Sequence, residues 1–268
     1  MAIWNEVAPR YHKRWASEDI GPFASTKKLV NSIGIKKGNK VLDVACGTGV
    51  VTKKITQKVG KTGYVVGADT SVTAIKIAKK WNENSSNLLF VNADAENFTF
   101  SEKFDIITCQ YALFFFPNAS KALKNMRKSL KKSGKLGMSV HGHKDKVPYF
   151  GNILDAVTQF IPEYVPPGTP DLDRYGTKKS FRDEVIRAGF SNVKVKDYTF
   201  KYSPGTFDDY WKNYLKYVAK PIKEKLNSLS KPQRRELKEM IKENTKLHTK
   251  RNGMIEFPWE VLILTAKY

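Results

Sequence analysis

Three aspartates, Asp43, Asp69 and Asp94, each close a short apolar run: "KVLD", "YVVGAD" and "LLFVNAD". The first is followed at once by a glycine turn, "ACGTG" (45–49), that leads into a basic segment of helical period. Gly47 and Gly49 let the backbone turn tightly and approach a ligand closely. Asp69 stands 20 residues beyond Gly49, where a carboxylate accepts hydrogen bonds from both hydroxyls of a ribose. Asp94, in "NADAENFTF", is placed to accept from an adenine amino group. Together they predict a site for an adenosyl cofactor.

Two such cofactors compete. The NAD pattern Gly-x-Gly-x-x-Gly, laid on Gly47 and Gly49, calls for glycine or alanine at position 52, and Thr52 stands there. Three carboxylates at successive strand ends suit a cationic, amine-bearing ligand better than a pyrophosphate. S-adenosylmethionine is such a ligand. Methyl transfer from its sulfonium is a one-step displacement, so the protein must supply orientation and, for hydroxyl acceptors, a base. Cys46 is then a small side chain in a turn and not a reagent. The candidate bases are His141 and His143, and a structural role is as good a reading of either. An N-terminal arm offers Tyr11 and His12.

The elements that carry these residues follow from periodicity. Apolar, β-branched runs at 40–45, 64–69, 88–93, 104–110 and 134–142 read as strands, separated by segments of helical period. The links are long enough for right-handed crossovers, which predicts a parallel, doubly wound α/β sheet with its ligand at the strands' carboxyl ends. The helix at 118–134 is expected to stop on Gly134. Beyond 142 the rhythm breaks into a helix, a proline-rich loop, a helix ending at Gly189 and a strand at 192–200. Two or three helices follow, then a final strand in which Pro258 suits a start or an edge. Leu237, Met240, Ile241 and Leu247 are spaced for one buried helix face. Most of "YALFFFP" (111–117) reads as core packing. Tyr149, Tyr164, Tyr210, Trp211, Tyr214 and Tyr217 read as lid lining, with Tyr210, Tyr214 and Tyr217 equally a packing stripe.

At 268 residues and 41% hydrophobic the chain can bury a core, so disorder is not the default. Two cysteines, Cys46 and Cys109, exclude a disulfide framework and supply no zinc site. No apolar run approaches a membrane span, and no signal peptide is evident, so a cytoplasmic protein is expected. The formal charge of +21 favours anionic partners in general. Without a recognisable nucleic-acid module, solvated helix faces are the better reading of it.

Residues 40–142 closely resemble the class I S-adenosylmethionine-dependent methyltransferases, nearest to those of ubiquinone and menaquinone biosynthesis. The resemblance is carried in order by "VLDVACGTG", "VVGADTS", "NADAENFTF", "FDIITCQYALFFFPN" and "LKKSGKLGMSVHG". It implies a Rossmann-like, doubly wound, seven-stranded sheet with the last strand antiparallel and helical lid insertions. It also implies one domain over 1–268, with an arm at 1–35, a cofactor-binding core at 36–142 and insertions at 143–176 and 203–253. Residues 177–202 and 254–268 complete that core. By the same resemblance Asp43 and the turn belong to the cofactor site, and Gly47, Thr48 and Gly49 line the methionine end. Asp69 meets the ribose, with Thr70 beside it among the cofactor-binding residues. Asp94 and the backbone at Ala95 meet the adenine, Gln110 lies beside the transferring methyl, and Tyr11 of the arm contacts the cofactor, as an arm tyrosine does in relatives. Ala45 departs from the family, which usually has a glycine there; cofactor binding is expected to survive.

The expected function is therefore methyl transfer to a small-molecule acceptor. A methyltransferase acting on RNA or protein is the alternative that the charge suggests. Against it, "CQYALFFFP" lacks the Asn/Asp-Pro-Pro-Tyr/Phe pattern of amino-methylating nucleic-acid enzymes. A non-catalytic cofactor-binding protein ranks last. Acceptor identity and oligomeric state stay open.

Overall fold

The structure is a computed structural model and describes residues 2–16, 21–162, 171, 173–217 and 220–268. The chain divides into two compact units: Met1–Gly142 with Pro170–Tyr198 and Val261–Tyr268, and His143–Thr169 with Thr199–Glu260.

The first unit opens with α1 (Ala2–Trp15), a 3-10 turn at Gly21–Ser25 and α2 (Thr26–Ile33). Alternation follows: β1 (Lys40–Val44), α3 (Val50–Val59), β2 (Tyr64–Asp69), α4 (Val72–Trp81), β3 (Leu88–Asn92), β4 (Phe104–Gln110), α5 (Ala119–Ser129) and β5 (Leu130–His141). After α6 (Pro148–Phe160) come α7 (Lys178–Arg187) and β6 (Ser191–Gly205). Then α8 (Phe207–Tyr217), α9 (Lys220–Ser228) and α10 (Lys231–Thr245) lead to β7 (Ile255–Lys267).

The seven strands form one sheet in the order β3-β2-β1-β4-β5-β7-β6. The pairs from β3 through β5 are parallel, and β5 meets β7 antiparallel, from Lys135 opposite Lys267 to His141 opposite Val261. The sheet is the one expected, antiparallel β7 included. Its central strands read as continuous apolar runs because helices cover both faces; Val41, Leu42, Val65, Val66, Ile106 and Ile107 are all buried. The strand order reverses between β1 and β4, the position at which open α/β sheets take a ligand at the carboxyl ends of their strands. Pro258 lies outside the 261–267 segment of β7 that pairs with β5, consistent with its missing N–H.

Two expectations about helix ends change. Gly134 does not stop a helix: α5 ends at Ser129, and β5 begins at Leu130. The β4 register jumps from Phe104 opposite Leu130 to Ile106 opposite Lys135, so residues 131–134 bulge from the strand. A Cβ on Gly134 would stand 2.8 Å from the Lys131 carbonyl, so the glycine serves this bulge. Leu247 is not on the buried face of α10. That helix ends at Thr245, the helical phase is lost, and Leu247 is 95% exposed while Leu237 and Ile241 are buried.

In the second unit Tyr149 stacks on Trp259 with ring centroids 5.3 Å apart, and Tyr210 meets Phe257 edge-on at 5.2 Å. All four rings are buried, so Tyr149 is core and not lid lining, and for Tyr210 the packing-stripe reading holds. Trp211 stacks on Tyr214 at 5.8 Å, both half-buried. Tyr164 and the Tyr217 side chain fall outside the described residues.

Candidate active site

The glycine turn leaves β1 through three left-handed residues, Ala45 (φ 54°), Gly47 (φ 55°) and Gly49 (φ 85°). The Cys46 amide donates to the Ala68 carbonyl at 3.1 Å, which ties the turn to β2. The Gly47 amide donates to Asp69 Oδ2 at 2.9 Å, and the Ser71 amide donates to Asp69 Oδ1 at 2.8 Å. One carboxylate thus joins the turn to the start of α4. A Cβ on Gly47 would meet nothing within 4 Å, whereas one on Gly49 would stand 3.0 Å from Asn82 Nδ2 and Phe90 Cζ. Gly47 therefore borders open space and Gly49 backs onto packed side chains.

Asp43 is turned inward. Its Oδ2 accepts from Thr52 at 2.6 Å and its Oδ1 from Thr108 at 2.7 Å, and it has no exposed surface. Burial pushes its carboxyl up to about 6, and the Asp69 charge adds to this. Asp69 is itself raised by burial, against the backbone amides that bond it. Two desolvated carboxylates beneath a glycine turn favour a positively charged ligand, which would lower both. These residues fit a sulfonium- and amine-bearing group.

Asp94 caps its own turn, accepting from the Glu96 amide at 2.9 Å and from Asn97 Nδ2 at 2.7 Å. Each carboxylate oxygen has a second lone pair, so acceptor capacity remains. Asn92 Nδ2 donates to the Asp69 and Thr70 carbonyls at 3.0 and 2.9 Å, fixing β3 against that segment. Ala95 is buried, and its carbonyl accepts from Asn125 Nδ2 at 3.2 Å.

At the end of β4, Gln110 Nε2 donates to Thr26 Oγ1 at 3.0 Å. At the end of β5, the half-buried His141 stacks on Tyr111 with centroids 4.3 Å apart and planes 19° apart. Desolvation lowers its pKa to about 3, so the imidazole is neutral across the physiological range. His143 lies in the second unit, where Nδ1 pairs with Asp145 Oδ2 at 2.8 Å at the head of a short 3-10 turn.

The arm is built into the site. His12 Nδ1 and Thr48 Oγ1 lie 2.9 Å apart, and Asn5 Oδ1 accepts from Ser71 Oγ at 2.8 Å and from the Thr73 amide at 3.2 Å. Helix α1 thereby bonds to both the glycine turn and the β2–α4 turn. The Tyr11 ring packs edge-on against Trp4 and Phe23, and burial raises its phenol. Asn5, Ser25 and Tyr111 escaped the sequence reading. Only Tyr111, a bulky residue just after a strand, carries a local signal, and its φ of 55° is invisible in sequence.

Cys46 packs with Ile75, Ala78 and Phe90, and burial raises its thiol far above the ordinary range. It is an inert wall residue in this structure. No group of three or more His, Cys, Asp and Glu among the described residues is arranged to hold a metal ion. No described helix is long and apolar enough to cross a membrane. Lysines line two open clefts away from the strands' carboxyl ends. One, of about 370 Å³, includes Lys178, Lys179 and Arg182; the other, of about 510 Å³, includes Lys103, Lys128, Lys131 and Lys132.

Comparison with known proteins agrees with this geometry. Residues 35–172 match the family described as "Methyltransferase domain". The chain is similar to the demethylmenaquinone methyltransferase of Staphylococcus carnosus, 30% identical over 207 residues that span 73% of this chain and 81% of the relative. It is 27% identical over 207 residues to the enzyme of that name from Staphylococcus saprophyticus, covering 73% and 84%. In fold it is similar to the YcgJ protein of Bacillus subtilis (TM-score 0.60, 20% identity, covering 91% of this chain and 98% of that one). It is also similar to phosphoethanolamine N-methyltransferase 2 of Haemonchus contortus, solved with S-adenosyl-L-methionine (TM-score 0.59, 15% identity, covering 98% and 57%). With the glycine turn, its carboxylates and the reversed sheet already in place, the chain belongs to the methyltransferase-domain family and is a class I S-adenosylmethionine-dependent methyltransferase.

Proposed function

We propose that the small-molecule acceptor of this methyltransferase is a demethylated quinone of the demethylmenaquinone type, taken in its reduced form. The Staphylococcus relatives bear that name, and their similarity runs over 73% of the chain. A ring carbon of an oxidised quinone is electron-poor, whereas the reduced ring becomes a carbon nucleophile as a phenolic proton leaves. When bound, S-adenosylmethionine supplies an electrophilic methyl carbon displaced in line. The chain's own residues then have to hold, orient and take a proton.

The observation that carries the cofactor half is the 2.9 Å bond from the Gly47 amide to Asp69, beside the open space at Gly47. In this reading Ala45, Gly47, Thr48, Gly49 and Gln110 surround the methionine end. Asp69 and Thr70 receive the ribose, and Asp94 with Ala95 the adenine. Asp43 acts from beneath the turn, through Thr52 and Thr108, and Tyr11 closes over the ligand with α1. We propose His141 and His143, at and past the end of β5, as the candidate proton acceptors; desolvation makes the His141 imidazole a weak base. We also read 1–268 as one methyltransferase domain that works in the cytoplasm, with the insertions 143–176 and 203–253 selecting the acceptor.

Calorimetric titration with S-adenosylhomocysteine, on wild type and Asp69→Ala, tests the cofactor half; binding lost in the variant is expected. Incubation of wild type with labelled S-adenosylmethionine and short-chain demethylmenaquinol tests the acceptor half. Tight cofactor binding with no label in the quinol would sink the acceptor assignment and leave the cofactor site standing.

A further inference from the structure

The formal charge of +21 is the sequence feature that methyl transfer does not use, and most of it falls in the first unit. Helix ends account for part of it. Lys58 and Lys128 each stand in the last turn of a helix, where a cation complements the terminal carbonyls. Another part is borne by strands. Lys40 opens β1, Lys103 immediately precedes β4, and Lys131 and Lys132 lie in the bulge at the start of β5. Because β7 runs antiparallel to β5, Lys267 near its end stands directly opposite Lys135. These lysines therefore gather at the amino edge of the sheet, across four adjacent strands and away from the glycine turn.

Like charges directly opposite on neighbouring strands weaken the pairing, so the arrangement costs stability. Nearby acids offset little of it. Glu102 pairs with Lys40 at 2.6 Å and Asp105 with Lys131 at 2.6 Å, while Lys128, Lys132, Lys135 and Lys267 have no ion pair among the described residues. At the β5 bulge the surplus borders the cleft of about 510 Å³, which Lys103, Lys128, Lys131 and Lys132 line together with Phe100 and Tyr268. No Asp or Glu lines it. Lys103 Nζ donates to the Lys128 carbonyl at 2.7 Å, which holds two of its walls together. Phe100 is half-buried, edge-on to Phe104 at 5.5 Å, and the Arg127 guanidinium lies 4.0 Å over the Tyr268 ring. A small inorganic anion would need only the lysines, and a lipid surface would call for apolar groups that project from the surface and not for rings set in a concave wall. Cations that continue past the cleft on both sides, with rings inside it, suit a chain of phosphates whose bases are free to stack.

We propose that the amino edge of the sheet binds single-stranded nucleic acid: Lys128, Lys132, Lys135 and Lys267 engage the phosphates, and an unpaired base enters the cleft against Phe100. This surface is separate from the cofactor site. Neither cofactor binding nor the acceptor assignment depends on it.

The test is fluorescence anisotropy of a labelled oligouridylate of about 12 nucleotides, titrated with the full chain at several salt concentrations. Lys128→Glu/Lys132→Glu is expected to weaken binding by about tenfold or more. The slope of log affinity against log salt should shrink by about 1.4, at roughly 0.7 per lost phosphate contact. Arg234→Glu/Arg235→Glu, the same charge change on exposed residues of α10, should shift the affinity by no more than about twofold. Phe100→Leu is expected to weaken binding by about fivefold through lost stacking. Titration with S-adenosylhomocysteine should be unchanged in all three, which shows that they are folded. Should the Lys128→Glu/Lys132→Glu protein fail to bind S-adenosylhomocysteine, Lys128→Gln/Lys132→Gln replaces it and is read in the same way. An equal loss from the α10 variant would show that net charge alone attracts the oligonucleotide, and would overturn the proposal. Unchanged affinity in Phe100→Leu, or equal affinity for a duplex of the same length, would overturn it as well. So would vesicles containing phosphatidylglycerol that displace the oligonucleotide and bind through the same lysines.

Discussion

Ala45 occupies a position where the backbone asks for glycine. At φ 54° its Cβ crowds the following carbonyl, a conformation that costs an L-residue about 1–2 kcal/mol. Ala45→Gly removes that strain. It also frees the unfolded chain, which returns about 0.4–1 kcal/mol to the other side. The net expectation is a gain of about 0.5–1 kcal/mol, or roughly 1–4 °C in Tm at the usual 2–4 °C per kcal/mol for chains of this size. Gly47→Ala is the mirror experiment. Its φ is 55° and its added Cβ would meet nothing within 4 Å, so only backbone strain changes, and a loss of about 0.5–1 kcal/mol is expected. Gly49→Ala must lose more, because strain at φ 85° adds to contacts at 3.0 Å with Asn82 and Phe90. Scanning calorimetry without cofactor would follow the three variants, with S-adenosylhomocysteine titration confirming that Ala45→Gly still binds. If Ala45→Gly lowered Tm, or if Gly47→Ala were as stable as wild type, the left-handed geometry of the turn would be refuted.

Other outcomes follow from the same site. Asp43 is raised from 3.8 to about 6 by burial, so without cofactor the folded protein bears an ionised, desolvated carboxylate above pH 6 and is relieved of it as pH falls toward 4. Asp43→Asn should therefore gain stability relative to wild type by about 2.4 kcal/mol between pH 4 and 7, read by denaturant unfolding; a pH-independent difference would contradict the shift. Cys46→Ser should keep cofactor affinity while losing about 1–2 kcal/mol of stability, since a hydroxyl replaces a thiol against Ile75, Ala78 and Phe90. Loss of turnover with binding intact would mean that the thiol takes part after all. His12→Ala removes the contact with Thr48, worth about 1 kcal/mol, and should speed release of S-adenosylhomocysteine about fivefold in stopped-flow displacement. An unchanged rate would show that α1 does not hold the ligand.

The sequence by itself determined the sheet and placed the candidate site residues at its strands' carboxyl ends. Apolar runs with long helical links permit few topologies, and the positions of Asp43, Gly47, Gly49, Asp69 and Asp94 at strand ends follow from where each run stops. What only the tertiary structure decided is which of those residues are packed into the interior and which stand beside open space. Asp43 and Asp69 look alike in sequence. Yet Asp43 is spent on two threonines within the packed interior, while Asp69 bonds two backbone amides beside open space. Gly134 resembles a helix stop and serves a bulge, because the partner strand β4 sets the register there. Leu247 fits the apolar spacing of α10 and is exposed, because helical phase ends with the helix. The contacts of Asn5, His12, Ser25 and Tyr111 join residues 36 to 86 positions apart. Local pattern records which residues can turn, cap or bury themselves, but long-range partners are chosen by the packing of whole elements, which no window of sequence contains.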